Sequence, residues 1–132
     1  MTAACWTSEE LAQIGSADEL RIAPDRGGRT VGRSVPIWVV RVGEALYIRS
    51  WRGASGAWFR AARASRAAHV CAGGVERDVE VLDAEERASD AVDAAYRLKY
   101  GRYPTYVEPM VSPVARATTL RLIPRPPHAQ RA

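Results

Sequence analysis

Two tight hairpin turns constrain the fold of this 132-residue chain more than any other feature of its sequence. Gly43-Glu44 and Gly73-Gly74 each join two short segments that have an apolar face and a more polar one. Two-residue links with glycine are typical of hairpin turns, because glycine adopts the positive φ angles that such turns require. The links therefore predict four antiparallel strands, at residues 35–42, 45–51, 67–72 and 75–82.

Capping residues predict where two helices begin. Thr7 and Glu10 form a capping box, which predicts a helix over residues 8–14. Asp83 stands before an apolar stripe with helical spacing, so it predicts the start of a longer helix over residues 84–100.

One more helix and two more strands complete the predicted elements. The helix covers residues 57–65, and the strands cover residues 19–24 and 115–123. Six short antiparallel strands interrupted by helices indicate a mainly β protein of the α+β class, built around a small barrel. We expect a single domain over residues 1–124 and a disordered tail over residues 125–132.

Positive charge is concentrated in the middle of the chain. The formal net charge is +4, yet residues 26–75 contain nine arginines and a single acid, Glu44. A protein that needs only solubility intersperses its charges. The concentration therefore indicates an anionic partner, which is a nucleic acid, a nucleotide-like cofactor or an acidic substrate.

The stretch RSWRGASGAWFRAAR, at residues 49–63, is the best candidate for an anion site. Arginine binds phosphate through paired hydrogen bonds, and a helix N-terminus adds free amides and a favourable dipole. Helix arginines more often lie in water, so solvation remains the alternative for Arg60 and Arg63. We expect Trp58 to pack inside the protein. The candidate cofactor-binding residues here are Arg49, Ser50, Trp51, Arg52, Gly53, Ser55 and Arg60.

Four tyrosines lie close together near the end of the long predicted helix. Tyr96 and Tyr100 share a helical face, and two more follow in the next loop. Phenols that gather at a pocket donate a proton or a hydrogen bond to a substrate oxygen. The candidate catalytic residues are Tyr100, Tyr103 and Tyr106. The alternative is a buried helix face whose hydroxyls reach solvent.

The other titratable residues predict neither a metal site nor a nucleophile. Cys71 lies in an apolar run, so we expect it to be buried, and its neighbour His69 has no clustered carboxylate or second thiol. We expect Asp93 to face solvent and to pair with Arg97, four residues later.

No segment approaches the roughly 20 apolar residues that a membrane span requires. The N-terminus lacks the basic flank and apolar stretch of a signal peptide. We therefore expect a cytoplasmic protein without membrane contact.

Three segments together resemble the split β-barrel superfamily, which contains pyridoxamine 5′-phosphate oxidase-like flavoproteins and deazaflavin-dependent nitroreductases. They are GGRTVGRSVPIWVV, GEALYIRSWRGASGAWFRAARASRAAHVCAGG and VEVLDAEERASDAVDAAYRLKYGRY. The similarity covers residues 25–123. It is closest to a branch of small proteins of unknown function that is marked by the helix end AYRLKYG.

The resemblance implies a six-stranded antiparallel split barrel of the FMN-binding type. It also implies a homodimer with cofactor pockets at the dimer interface. In deazaflavin-dependent members, two glycine-rich loops hold the phosphate and the ring of the cofactor. Those loops correspond here to Gly28, Arg29, Thr30, Gly32 and Arg33, and to residues 50–58.

The chain departs from the deazaflavin pattern around its second loop. Deazaflavin reductases usually place a proline before the tryptophan segment and an asparagine-leucine pair after it. This chain has Gly56-Ala57 before Trp58 and Arg60-Ala61 after Phe59.

These observations predict an oxidoreductase that binds FMN or a deazaflavin and acts on an unidentified small molecule. Because of the departures, a cofactor-free small-molecule binder or tailoring enzyme that reuses the barrel pocket remains the alternative. A third hypothesis is nucleic-acid binding with Trp51 and Phe59 as stacking platforms. Predicted buried strand positions interrupt the arginines, so we do not expect nucleic acid as a partner.

Overall fold

A computed structural model of the protein describes residues 5–25 and 34–126. Seven strands form one antiparallel sheet: β1 (Leu20–Pro24), β2 (Val35–Ile37), β3 (Val40–Val42), β4 (Ala45–Ile48), β5 (Ala67–Ala72), β6 (Val75–Asp83) and β7 (Leu120–Pro124). The helices are α1 (Ser8–Ser16), α2 (Ala57–Ser65), α3 (Ser89–Tyr100), α4 (Pro104–Met110) and α5 (Pro113–Arg116). Single 3₁₀ turns lie at Gly53–Ser55 and Glu86–Ala88.

The strand order requires the sheet to curl. The order is β2-β1-β5-β6-β7-β4-β3, so β2 and β3 are the two edges of the sheet. Yet only Trp38 and Val39 separate these edges along the chain. Ile37 and Val40 are three residues apart, which spans at most about 10 Å, so the sheet bends until its edges come close together. The expected α+β architecture is confirmed in the form of a curled antiparallel half-barrel.

The structure has seven strands rather than six because the predicted strand at residues 35–42 is broken. Its first part pairs with β1 and its second part pairs with β4. At the break, the amide of Val39 donates to the hydroxyl of Tyr100. The Val39 carbonyl accepts from Lys99 and from Tyr100. Side chains of α3 thus replace sheet partners where the chain passes from one edge to the other.

The two faces of the sheet carry two apolar clusters. Alternation in β4 shows the division, since Leu46 and Ile48 belong to the inner cluster while Ala45 and Tyr47 belong to the outer one. The inner cluster fills the curled sheet and includes residues of α1 and α2, namely Leu11, Ile14, Phe59 and Ala62. The outer cluster packs α3 and α4 against β3 and β4.

Two of the helices lie where they were predicted, and a third begins later. The Thr7 capping box is present and α1 follows it, although the helix continues to Ser16. Helix α2 has the predicted bounds. The third helix begins later than predicted because Asp83 ends β6 instead of capping a helix. Its carboxylate accepts hydrogen bonds from Arg66, and these bonds lower the pKa of the Asp83 carboxyl.

Two short helices replace the loop and the first part of the strand predicted after α3. Pro104 and Pro113 begin α4 and α5, positions where proline loses no helical hydrogen bond. The Ser112 side chain caps α5 by accepting from the Ala115 amide. The last strand therefore begins at Leu120 rather than at residue 115.

The predicted tail lies partly within the described residues. The Arg125 amide donates to the Asp78 carbonyl, so residue 125 is still held by β6. Disorder over residues 127–132 stays a prediction, because they lie outside the described part. None of the helices that the structure describes is long and apolar enough to cross a membrane.

Candidate functional site

A cavity of about 520 Å³ opens between β2, the start of α2 and helix α4. Ligand pockets in proteins usually measure about 300–1,000 Å³. The wall is mostly apolar. It is formed by Val35, Pro36, Ile37, Trp38, Arg49, Ser50, Trp51, Arg52, Gly56, Ala57, Trp58, Tyr106 and Met110.

Three tryptophans give this cavity flat surfaces. Trp38 stacks on Tyr100 with ring centroids 3.9 Å apart, which fixes its plane. Trp58 meets Phe59 edge to face, packs against the inner cluster as expected and also faces the cavity. Trp51 is 56% exposed at the mouth. Planar ligands bind such walls by stacking.

The N-terminus of α2 lies at one end of the cavity. Its N-cap is Gly56, so no side chain caps the helix. The first amides of a helix have no partner within the helix, and they carry the positive end of its dipole. Gly56 and Ala57 line the cavity, and the exposed Arg52 stands beside them. This end of the cavity therefore suits an anionic group.

The glycines of the loop before α2 serve internal packing. Gly53 has a φ of +68°, and a Cβ placed there would lie 2.4 Å from Val114 Cγ1. A Cβ on Gly56 would lie 2.6 Å from Ser50 Oγ. Gly53 was expected to bind the cofactor, whereas the nearest neighbours of both glycines are side chains of the protein.

The two serines of this loop also bond within the protein. Ser50 is buried, its hydroxyl donates to the Gly53 carbonyl and its amide donates to Thr118 Oγ1. The exposed Ser55 hydroxyl donates to the Arg52 carbonyl. Both serines therefore hold the loop in shape.

Arg49 lies where a phosphate ligand was expected, but its guanidinium points into the protein. The residue is 1% exposed. Its Nε donates to Thr119 Oγ1 at 2.9 Å, and Nη2 donates to the Ser89 carbonyl at 3.1 Å. Its Nη1 donates to Asp93 Oδ1 at 2.6 Å and to the Met110 carbonyl at 2.8 Å. Each guanidinium nitrogen thus donates to an acceptor of the protein. The expectation that Arg49 binds a phosphate is therefore corrected.

The same network corrects the expectation for Asp93. Its second carboxylate oxygen accepts from Arg116, so it faces two arginines rather than solvent. Arg97 pairs instead with Glu108 on α4. Sequence spacing favoured an Arg97–Asp93 pair because it sees only partners on the same helix.

Of the three candidate catalytic tyrosines, the cavity includes Tyr106. Tyr100 is buried, its hydroxyl donates to the carbonyls of Asp18 and Val39, and burial raises its pKa to about 12. Tyr103 is 42% exposed and does not line the cavity. Tyr106 and Met110 are four residues apart on α4, a spacing that would have identified a shared face had this helix been predicted.

The remaining candidates divide between exposed and undescribed positions. Arg60 is exposed on α2 and does not line the cavity. Arg63 and Arg66 both pair with Asp83, at 3.6 and 3.1 Å. The first expected cofactor loop, with Arg29, Thr30 and Arg33, lies outside the described residues.

Strand β5 corrects the expectation for Cys71. The thiol is exposed because the alternation of the strand places it on the outer face with His69. The expectation that His69 has no clustered carboxylate was wrong, because the neighbouring strand β6 supplies two. His69 Nδ1 lies 2.8 Å from Asp78, and Nε2 lies 3.0 Å from Glu76. Among the described residues, no group of three or more histidine, cysteine, aspartate or glutamate side chains has an arrangement that could hold a metal ion.

Comparison with solved structures defines the class of fold. An FAD-binding protein from Mesorhizobium loti aligns with a TM-score of 0.59 and 16% identity, over 96% of this chain and 95% of that one. A "Putative Pyridoxamine 5′-phosphate oxidase" from Listeria innocua aligns with a TM-score of 0.61 and 12% identity, over 89% and 92%. A NimC/NimA family protein from Clostridium acetobutylicum aligns with a TM-score of 0.58 and 13% identity, over 88% and 78%.

These likenesses confirm the resemblance noted in the sequence: the chain has the split-barrel fold of pyridoxamine 5′-phosphate oxidase-like proteins. Within that class, residues 10–122 match the family described as "Uncharacterized protein conserved in bacteria (DUF2255)", and the chain belongs to this family. No functionally curated protein matches the chain.

Proposed function

We propose that the protein binds a flavin or deazaflavin in the tryptophan-lined cavity and acts as an oxidoreductase on a small molecule. One observation carries this proposal: flat aromatic walls and an uncapped helix N-terminus meet in a single cavity of about 520 Å³. A planar ring with an anionic tail needs both features at once. The names of the split-barrel neighbours, FAD-binding protein and pyridoxamine 5′-phosphate oxidase, support the same ligand class.

Each part of the cavity then has a role. Trp38, Trp51 and Trp58 stack on the ring, while the first amides of α2 and the Arg52 guanidinium bind the phosphate. Tyr106 offers its hydroxyl to the substrate. A bound flavin or deazaflavin supplies the hydride chemistry, so the protein needs only to bind, orient and exclude water.

We also propose that a second copy of the chain covers the mouth of the cavity. Three large apolar side chains are exposed around or near it: Trp51 at 56%, Tyr106 at 58% and Val114 at 61%. Exposed apolar side chains that lie together, unlike ones scattered singly, often mark an interaction surface.

Absorption spectroscopy and titration test the proposal. The protein as purified should show a flavin-like visible band, with mass analysis identifying what denaturation releases. Added FMN or deazaflavin should quench tryptophan fluorescence. Trp51→Ala should weaken binding by roughly tenfold or more, because base-like rings stacked on aromatics gain about 1–3 kcal/mol.

Leu98→Ala is the matched control, because Leu98 is 88% exposed on α3 and does not line the cavity. It should bind both ligands as tightly as the unaltered protein. The proposal is contradicted if the purified protein is colourless and neither FMN nor deazaflavin changes its fluorescence.

The commitment of Arg49 to protein partners favours a second candidate, a cofactor-free small-molecule binder. Among the described lining residues, Arg52 is then the only cation that faces solvent. Such a cavity suits an uncharged aromatic ligand. This function predicts that the uncharged probe N-phenyl-1-naphthylamine binds and is displaced by neutral aromatics, while FMN does not compete.

A further inference from the structure

Arg49 connects four parts of the fold at the back of the cavity. It follows β4 directly, and its acceptors are Thr119 before β7, Ser89 and Asp93 on α3, and Met110 on α4. The residue is nearly fully buried, and its guanidinium lies 5.5 Å from the centre of the Tyr96 ring. No other described arginine is buried to this degree.

Helix α4 depends on such outside contacts. It has seven residues and contains Pro109, which removes one helical hydrogen bond. Helices this short are unstable alone in water. The Met110 carbonyl is among the last carbonyls of the helix, which have no helical partner, and Arg49 supplies a charged donor to it.

We infer that Arg49 is a positioning residue: its guanidinium holds α4 in place, so that Tyr106 and Met110 keep their positions in the cavity wall. For the identity of the ligand, the inference rests on the proposed function. Asp93 balances the buried charge and is itself held by Arg116. Lysine cannot substitute, because a single ammonium does not reproduce the planar fork that reaches all four acceptors.

Arg49 affects ligand binding indirectly, because it fixes the position of the wall that contacts the ligand. Binding groups must stay within about 0.5 Å of the productive geometry, and they do so only when neighbouring side chains lock them. Tyr106 is exposed, while Met110 is buried. The hydrogen bond from Arg49 to the Met110 carbonyl ties this wall to the residue that directly precedes Ser50 and Trp51.

Hydrogen exchange measured by mass spectrometry tests this inference without any ligand. Arg49→Lys should speed exchange of the amides at residues 104–116 by about tenfold or more, the loss expected when a buried charge pair is disturbed. Strands β5 and β6 should be unchanged. Thr119→Val removes one acceptor of Arg49 and also the hydrogen bond from Thr119 to the Arg116 carbonyl of α5, so it is read at residues 104–111 alone. Exchange there should rise about threefold. This variant keeps the test decisive if Arg49→Lys does not fold.

Arg97→Lys is the matched control, because the Arg97–Glu108 pair joins the same two helices at the exposed surface. Such pairs contribute little, so exchange should stay as in the unaltered protein. The inference is overturned if the control loosens α4 as much, if exchange rises equally in β5 and β6, or if Thr119→Val leaves residues 104–111 unchanged.

FMN titration of the same variants tests the consequence for the ligand. Where the unaltered protein binds FMN, Arg49→Lys should weaken it by about tenfold or more and alter the visible band of the bound flavin, while Arg97→Lys does neither. Equal FMN affinity in Arg49→Lys despite a loosened α4 would overturn the positioning role. If the unaltered protein binds no flavin, the proposed function fails and the exchange experiment alone decides whether Arg49 holds the wall.

Discussion

Single atoms decide the shape of the loop before α2. Gly53 combines a positive φ with a position where a Cβ would lie 2.4 Å from Val114 Cγ1, while Gly43 has a similar φ and nothing within 4 Å of its Cβ position. The two glycines therefore separate two physical causes, backbone conformation and close packing. At Gly53 both act, so the residue ties the loop to α5 beneath the mouth of the cavity.

Gly53→Ala should destabilise the protein more than Gly43→Ala does. Alanine at a positive φ costs about 1–2 kcal/mol at either site, and overpacking adds about 1–3 kcal/mol at Gly53 alone. Urea unfolding of both variants measures the difference. Equal losses of unfolding free energy would show that Val114 moves aside freely and that packing does not require this glycine.

His69 predicts a pH dependence at the outer face of β5. Burial lowers its pKa, but hydrogen bonds and charge from Asp78 and Glu76 outweigh burial and raise it overall. A raised folded-state pKa contributes stability below the unfolded value of about 6.5 and loses it as pH rises through the folded value. The site is half exposed, so the contribution is a few tenths to about 1 kcal/mol.

The comparison of His69→Gln with the unaltered protein measures this contribution. The variant should be less stable at pH 5.5, and the two proteins should converge by pH 9. An NMR titration of the His69 ring should give a midpoint above 6.5. A midpoint below that value would contradict the assigned direction.

At the scale of elements, sequence reasoning succeeded where the determining contacts are local. The start of α1 follows from its capping box, and α2 follows from helical spacing within a few residues. Both hairpins follow from their glycine turns. Sequence reasoning failed where a partner distant in sequence determines the local structure. The strand break at Trp38 needs Lys99 and Tyr100, which lie some 60 residues away.

The candidate site divides in the same way. Ser50, Trp51 and Arg52 lie at the cavity and adjoin a helix start, a local signal that the sequence shows. Residues 35–38 and Met110 reach it only through the curling of the sheet and the position of α4. Arg49 was assigned to a ligand because its acceptors, Asp93 and Met110 among them, are distant in sequence.

Tyr100→Phe tests the break between β2 and β3. The variant removes a hydroxyl that bonds the Val39 peptide and the Asp18 carbonyl, and it leaves buried backbone groups without that partner. A loss of about 1–3 kcal/mol in unfolding free energy follows. Tyr103→Phe, at an exposed ring, should change stability by less than about 0.5 kcal/mol. Near-equal stability of the two variants would show that the Tyr100 hydroxyl does not hold the break.

At the scale of the whole molecule, the cavity lies where the edge strand β2, the start of α2 and helix α4 come together. Val35, Ile37 and Trp58 pack against the inner cluster and also line the cavity, so the core and the candidate site share a wall. The middle segment is strongly basic, yet several of its arginines have partners within the protein: Arg49 with Asp93, and Arg63 and Arg66 with Asp83. Charge alone is therefore a weaker guide to the partner than the aromatic wall.

The exposed rim of the cavity predicts how two copies associate. Trp51→Glu places a charge where the proposed partner copy packs, and tryptophans at the centre of an interface often contribute 2 kcal/mol or more. Sedimentation velocity over a range of concentrations should show a dimer for the unaltered protein and a dimer dissociation constant raised by roughly tenfold or more for this variant. Leu98→Glu changes an equally apolar residue, 88% exposed on α3, and should leave the dimer intact. A monomer at every concentration, or equal weakening by both variants, would place the contact elsewhere and leave the tryptophan rim facing solvent.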